Sequence, residues 1–291
     1  MSEPTLKALA AAGLDPAMVT DLAERTLAED LAGGVDVTSV ATIPEHLTGT
    51  AAFVPRADGV VAGIAVAMAC FDSVGAITWD RVGDDGPARA GEVVLQGTGR
   101  VRALLTAERS ALNLLCHLSG VATLTSRWVE AVQGTGARIR DTRKTTPGLR
   151  ALEKAAVVVG GGLNHRMALS DAALVKDNHV VAAGGVALAF TAVRELWPDL
   201  EVEVECDTVE QVREVVAAGA DLVLLDNMSL QDLRASVEIC RPQGVRTEAS
   251  GGLTLDRARA VAETGVDYLS VGALTHSAPV LDLGLDLIGT H

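Results

Sequence analysis

Apolar residues recur along this chain with different rhythms, and the change falls near Gly134. In the first 32 residues Val19, Leu22, Ala23 and Leu27 are helically spaced. Asp15-Pro16 can cap and open the turn and Gly33-Gly34 can stop it, which predicts helix over 4–32. From about Thr48 to Leu105, the short segments TAAFVPRA, AITWDRV and EVVLQGTGRVRALL alternate with turn signals at Asp58-Gly59, Gly83-Asp84 and Gly97 to Gly99. That texture predicts a small antiparallel sheet. A long helix follows from Thr106 to about Val132, rich in Leu and Ala, with Arg109 in its first turn.

After Gly134 the pattern becomes a regular alternation of buried strands and amphipathic helices. The predicted strands are ARIRDTR, AALVKDN, LEVEVECD, DLVLLDN, VRTEASGG and DYLSVGAL. Between them the helices at 185–196, 208–218, 229–240 and 255–264 are long enough for right-handed crossovers between parallel strands. The fold class is therefore α/β. Six strands fall short of the eight in a (β/α)8 barrel, so an incomplete or six-stranded barrel is expected, with a doubly wound open sheet as its rival.

In such barrels the active site is built at the strands' C-terminal ends. Taken in order, those ends offer Arg143 and Lys144, Lys176, Glu205, Asp226, Ser250-Gly251-Gly252 and Gly272.

Charge sharpens this placement. The chain carries a net −14, yet residues 138–179 hold eight Lys/Arg against four Asp/Glu, while the remainder holds 16 against 34. Cations gathered against such a background usually serve an anionic ligand. Arg150 and Lys154 are read separately, as a solvated helix face.

Composition narrows the partners. With 291 residues, 48% hydrophobic and 21% charged, the chain falls among ordinary globular proteins, as two domains or one elaborated barrel. Seven aromatics and an acidic balance provide neither the stacking platform nor the basic surface that nucleic-acid binding needs. Cys70, Cys116, Cys206 and Cys240 form no CxxC pair, which speaks for buried reduced thiols over a zinc site or disulfide framework. No signal peptide opens the sequence, and the longest apolar run, Gly59 to Phe71, is too short to span a bilayer, so a cytoplasmic protein is expected.

The candidate residues suggest a substrate with several negative charges. Arg109, Arg143 and Arg166 can present planar forks to carboxylate or phosphate, and Lys144 and Lys176 can act as point charges. Ser250-Gly251-Gly252 runs toward a helix and can hold a terminal phosphate on backbone N–H groups, with Gly272 at the next strand end. Glu205 and Asp226 end neighbouring strands, where they can accept from ribose hydroxyls or hold Mg²⁺ directly or through water. His165, between Asn164 and Arg166, fits a substrate hydrogen bond better than a zinc site. Gly160-Gly161-Gly162 lacks the phosphate-binding pattern of a nucleotide P-loop, and no Ser-His-Asp or Cys-His arrangement is readable.

These residues stand in longer runs: DTRKTTPGLR from Asp141, GGGLNHRMALSD from Gly160, LVKDNH from Leu174 and AERSALNLLCHLSGVAT from Ala107. DVTS at Asp36, EVEC at Glu203, LLDNM at Leu224 and EASGGL at Glu248 stand with them. Over nearly its whole length the chain resembles the quinolinate phosphoribosyltransferase family. The resemblance implies an N-terminal α/β sandwich over residues 1–115, with the tail 276–291 packing back on it. It also implies a six-stranded parallel barrel over 116–275, and a homodimer in which Arg109 reaches the partner's site.

By the same resemblance Thr142, Arg143, His165, Arg166 and Lys176 would bind quinolinate, and Lys144, Glu205 and Asp226 would face phosphoribosyl pyrophosphate. Ser250, Gly251, Gly252, Val271, Gly272 and Ala273 would hold the 5′-phosphate. Lys144, Lys176, Glu205 and Asp226 would be the catalytic set, with Mg²⁺ at Glu205 and Asp226. The implied reaction gives nicotinate mononucleotide, pyrophosphate and CO₂ for NAD synthesis. Two rivals remain: the related transferase that uses nicotinate without decarboxylation, and a non-catalytic phosphosugar-binding protein on the same barrel.

Overall fold

In the computed structural model every residue but Ala76 is described. The helix expected over 4–32 is two helices. α1 spans Glu3–Ala11, and α2 spans Pro16–Leu31, beginning where the Asp15 carboxylate accepts the Ala17 N–H at 2.9 Å and ending at left-handed Ala32. A short α3 (Val37–Thr42) is capped by Asp36, whose side chain accepts from the backbone N–H and hydroxyl of Ser39. There follow β1 (Thr48–Pro55), β2 (Gly59–Val61), α4 (Ile64–Asp72), β3 (Thr78–Val82), β4 (Gly86–Ala88) and β5 (Leu95–Arg100). The long helix α5 runs Val101–Ala131, five residues earlier than the pattern predicts.

The alternating half comprises β6 (Arg138–Arg140), α6 (Arg150–Val159), β7 (Ala173–Val175), α7 (Asp177–Ala183), α8 (Val186–Leu196), β8 (Val202–Cys206) and α9 (Val209–Ala217). It continues through β9 (Leu222–Asp226), α10 (Leu230–Cys240), β10 (Arg246–Ser250), α11 (Ala258–Ala262), β11 (Tyr268–Ser270) and α12 (Ala273–His276). The chain closes on β12 (Leu283–Thr290). All six predicted parallel strands are present.

Two compact units emerge. The first comprises Met1–Leu124, Ala151–Gly160 and Ala278–His291, the second Thr125–Arg150 and Gly161–Ser277. The boundary expected at residue 115 thus falls inside α5, which is continuous through it, and part of α6 belongs to the first unit.

In the first unit an antiparallel sheet runs β12-β1-β5-β3, beside a β2-β4 ribbon. Gly97 to Gly99, expected as a turn, lie inside β5. A side chain at Gly97 would sit 2.8 Å from the Trp79 ring, so the glycine is there for close packing. The apolar run at 59–71 divides into β2 and α4, and Ile64 to Phe71 are all buried. Phe71 stacks edge-on between Phe53 (5.4 Å) and Trp79 (5.9 Å). The terminal strand β12 pairs with β1 from Gly49–Thr290 to Pro55–Leu283.

In the second unit the parallel sheet runs β6-β11-β10-β9-β8-β7. From β7 to β11 each strand pairs with its successor, and the first strand, β6, pairs with the last, β11. That order belongs to a barrel and not to a doubly wound sheet, whose order reverses at a switch point. On its other edge β6 is met by a bridge from Arg140 to Leu163, and among the described residues no ladder joins that segment to β7. The barrel is six-stranded with one open seam.

Candidate active site

The polar strand ends lie in one unit and follow one another in the order of the ring. After β6 the chain turns through Thr142, whose Oγ1 accepts the Lys144 N–H at 3.0 Å. Beneath it Asp141 is fully buried and accepts the His165 backbone N–H at 2.8 Å. Arg143 is half-buried, and its Nε is enclosed with no hydrogen-bond partner among the described residues. A guanidinium N–H left so is unusual and points to an absent acceptor. Arg166 lies near enough that burial and then the Arg143 charge lower its pKa. One Arg166 N–H donates to the Ala172 carbonyl at 2.8 Å. Two close cations, with no carboxylate bonded to either among the described residues, suit an anionic substrate.

At the end of β7, Lys176 caps α7, and its N–H donates to His179 Nδ1 at 2.9 Å. The His179 ring, at the third position of α7, thus satisfies the backbone N–H of Lys176, the residue before the helix's first. Lys176 Nζ stands 3.5 Å from Glu205 Oε2. Burial raises the Glu205 pKa, Lys176 opposes that, and Asp226 raises it further, so the two carboxylates sense one another. Asp226 Oδ2 accepts from the Asn227 side-chain amide at 2.5 Å.

Asn227 is left-handed (φ 52), and its N–H donates to the Ser250 carbonyl at 3.0 Å, tying the ends of β9 and β10 together. Gly251 and Gly252 follow at φ +84 and +57, a conformation that favours glycine. Val271 is buried, and Gly272 and Ala273 start α12. The Lys144 side chain crosses so near Gly272 that a Cβ there would lie 3.0 Å from Lys144 Cδ. Thr275 Oγ1 donates to the Lys144 carbonyl at 2.8 Å.

Below this rim lies a buried polar layer in which His165 is joined by three residues not expected at the site, Arg140, Glu203 and Glu248. Arg140 of β6 donates to Glu248 of β10 at 2.6 Å, and His165 Nε2 meets Glu203 of β8 at 2.7 Å with Glu248 Oε1 at 3.7 Å. Burial pushes both carboxyls up to about 7, and Glu203 raises Glu248 further. The signal was present: Glu203 and Glu248 stand two residues before Glu205 and Ser250, and alternate strand residues share a face.

His165 Nδ1 also accepts the Arg166 backbone N–H at 2.8 Å. Both ring nitrogens thus have partners within the protein, which fix the orientation of this ring beside Arg166.

Two further expectations change. Lys154, read as solvated, is fully buried with Glu153, and Glu153 Oε1 lies 2.8 Å from His117 Nε2. Arg150 bonds to Thr145, Met167 and Arg143 instead of facing solvent alone. Arg109 belongs to the first unit, exposed on α5 at a cavity of about 220 Å³ shared with Thr26, Glu29, Asp30, Ser110, Asn113 and Leu114.

Two donor sets could hold a metal. His165, Glu203 and Glu248 bring ligand atoms within 4.8 Å of one another, but the Arg140 guanidinium already places a positive charge there. Glu205 and Asp226 offer carboxylate oxygens at adjacent strand ends, a hard donor set that suits Mg²⁺. No single helix among the described residues is long and apolar enough to cross a membrane; the pair α7 and α8 reaches that length only together, across a 90° bend.

Residues 36–119 match the family model for the quinolinate phosphoribosyl transferase N-terminal domain, and residues 121–286 match that for the C-terminal domain. The nicotinate-nucleotide pyrophosphorylase [carboxylating] of Mycobacterium leprae is 50% identical over 273 residues, covering 92% of this chain and 96% of that protein. Among solved structures, NadC from Streptococcus pyogenes superposes with a TM-score of 0.89 at 37% identity, over 96% of this chain and 98% of that one. The nicotinate-nucleotide pyrophosphorylase of Francisella tularensis gives 0.88 at 38% identity, over 94% and 97%.

Proposed function

We infer the chemistry from the family to which this chain belongs, the quinolinate phosphoribosyltransferases. The chain transfers the phosphoribosyl group of phosphoribosyl pyrophosphate to quinolinate in NAD biosynthesis, giving nicotinate mononucleotide, pyrophosphate and CO₂. The observation that carries this reading at the site is the enclosed Arg143 Nε, without a hydrogen-bond partner among the described residues, beside Arg166 in the unit whose strand ends also carry Glu205 and Asp226.

In this reading Arg143 and Arg166 hold the two carboxylates of quinolinate and turn the ring nitrogen toward the ribose. Orientation of this kind removes much of the entropic barrier to attack. Glu205 and Asp226 face the ribose hydroxyls and would hold Mg²⁺, which when bound supplies positive charge to the departing pyrophosphate. Lys144, beside Gly272, and Lys176, beside Glu205, add fixed positive charge that favours the transition state as negative charge gathers on the leaving group. Gly251 and Gly252, with the Val271-Gly272-Ala273 turn, offer backbone N–H groups to the 5′-phosphate.

Attack forms the N–C1′ bond and breaks the C1′–O bond to pyrophosphate, leaving a cationic pyridinium. The bond to the 2-carboxylate then breaks, its electron pair remains at ring C2 beside the positive nitrogen, and a proton from solvent completes the product. No base has to act before CO₂ leaves.

The working form is proposed to be a homodimer in the cytoplasm, each site receiving Arg109 from the partner subunit. A dicarboxylate beside several cations favours the added arginine, because each unpaired carboxylate charge gains from another fork. The test is a coupled assay for CO₂ and nicotinate mononucleotide from quinolinate, phosphoribosyl pyrophosphate and Mg²⁺, with nicotinate in a parallel reaction. Product from quinolinate alone is expected; turnover of nicotinate in its place would overturn the assignment.

A further inference from the structure

Arg150 opens α6, and its guanidinium reaches three residues on two different loops. Nε donates to Thr145 Oγ1 at 3.1 Å, Nη2 to the Arg143 carbonyl at 3.5 Å and Nη1 to the Met167 carbonyl at 3.0 Å. The first two acceptors belong to the loop after β6 that carries Arg143. The third belongs to the loop that carries Arg166. Each loop is hydrogen-bonded within itself at its contact point. The Arg143 carbonyl also accepts the Thr145 N–H at 3.0 Å, and the Met167 N–H donates to Asp171 at 2.6 Å.

We propose that Arg150 is a positioning residue that sets the separation of the Arg143 and Arg166 guanidiniums by tying their two loops together. Those guanidiniums repel, and burial of Arg166 adds to the cost of holding them close without an anion. A tie between their backbones opposes that repulsion before substrate arrives. Arginine suits the task because its planar fork presents N–H groups in three fixed directions, whereas lysine has one compact ammonium. Every acceptor on Arg150 is neutral, and no carboxylate pairs with it among the described residues. Its bonds are therefore spent on loop geometry and not on balancing an acid.

The consequence for quinolinate rests on the function proposed above; the consequence for the loops does not. Hydrogen exchange on the unliganded full-length protein, native and as Arg150→Lys and Arg150→Ala, reads the tie directly. Faster exchange is expected in both 142–149 and 164–172 in each variant, with the parallel strands unchanged. Unaltered exchange in either loop would overturn the tie.

Calorimetry with quinolinate and steady-state kinetics then read the positioning. Both variants should bind quinolinate about tenfold more weakly, raising its KM more than they lower kcat. Free guanidinium ion should restore part of the affinity of Arg150→Ala. Binding by Arg150→Lys within about twofold of native would mean that charge alone suffices, and would overturn the positioning role. If the native protein bound no quinolinate, the substrate reading would fail, while exchange would still decide the tie.

Discussion

Gly251→Ala tests how tightly the site's backbone is built. Gly251 sits at φ +84, where an L side chain is disfavoured by about 1–2 kcal/mol. Its Cβ would also lie 2.3 Å from Asn227 Oδ1 and 2.8 Å from the Asn227 backbone nitrogen. Neither neighbour yields easily: the Asn227 N–H is bonded to the Ser250 carbonyl, and its side-chain amide to Asp226. Crowding of this kind costs about 1–3 kcal/mol in a packed site, so the total should be about 2–5 kcal/mol. Gly252→Ala is the control. At φ +57 its Cβ would have Asn227 Oδ1 at 3.8 Å, ordinary contact, leaving only the conformational cost of about 1–2 kcal/mol. Urea unfolding of both variants gives the difference directly, and steady-state kinetics should show a higher KM for phosphoribosyl pyrophosphate in Gly251→Ala than in Gly252→Ala. Equal stability and equal KM for the two variants would refute the crowding argument.

Arg143→Ala should weaken quinolinate binding about 100-fold, the loss of roughly 3 kcal/mol of charge-assisted bonding, with the melting temperature unchanged; unaltered affinity by calorimetry would refute its role. Mixing Arg109→Ala with Lys176→Ala subunits should restore activity through hybrid dimers with one undamaged site, and no recovery after verified subunit exchange would argue against sharing. Gly120→Ala should destabilise the protein by about 1–3 kcal/mol in urea titration, because its Cβ would stand 2.3 Å from the Pro279 carbonyl oxygen, although helix propensity alone favours Ala by about 1 kcal/mol. Glu203 and Glu248, pushed from 4.5 up to about 7 by burial, keep protons in the native state that the unfolded chain has lost. Their contribution to stability therefore falls as pH rises from about 4.5 through about 7, and Glu203→Gln should flatten that slope by on the order of 2 kcal/mol between urea titrations at pH 5 and 8. A slope in Glu203→Gln equal to the native one would contradict it.

The local pattern was enough for much of the architecture. Six strands with crossover helices, and the polar residues standing at their ends, were legible because period-2 and period-3.6 hydrophobicity and turn residues act over a few neighbours. Tertiary structure alone decided which distant segments meet. β12 adds to β1 across more than 200 residues, and β6 closes on β11, pairings that no local period encodes. The same holds for single side chains. Lys154 reads like any helix-surface lysine yet is buried, and His165 reads like a ligand-binding histidine yet has its ring nitrogens engaged by Glu203 and the Arg166 backbone. Residue type determines what a group can donate or accept; the packing of remote elements determines which partner it finds, and so whether it meets substrate or holds the residue that does.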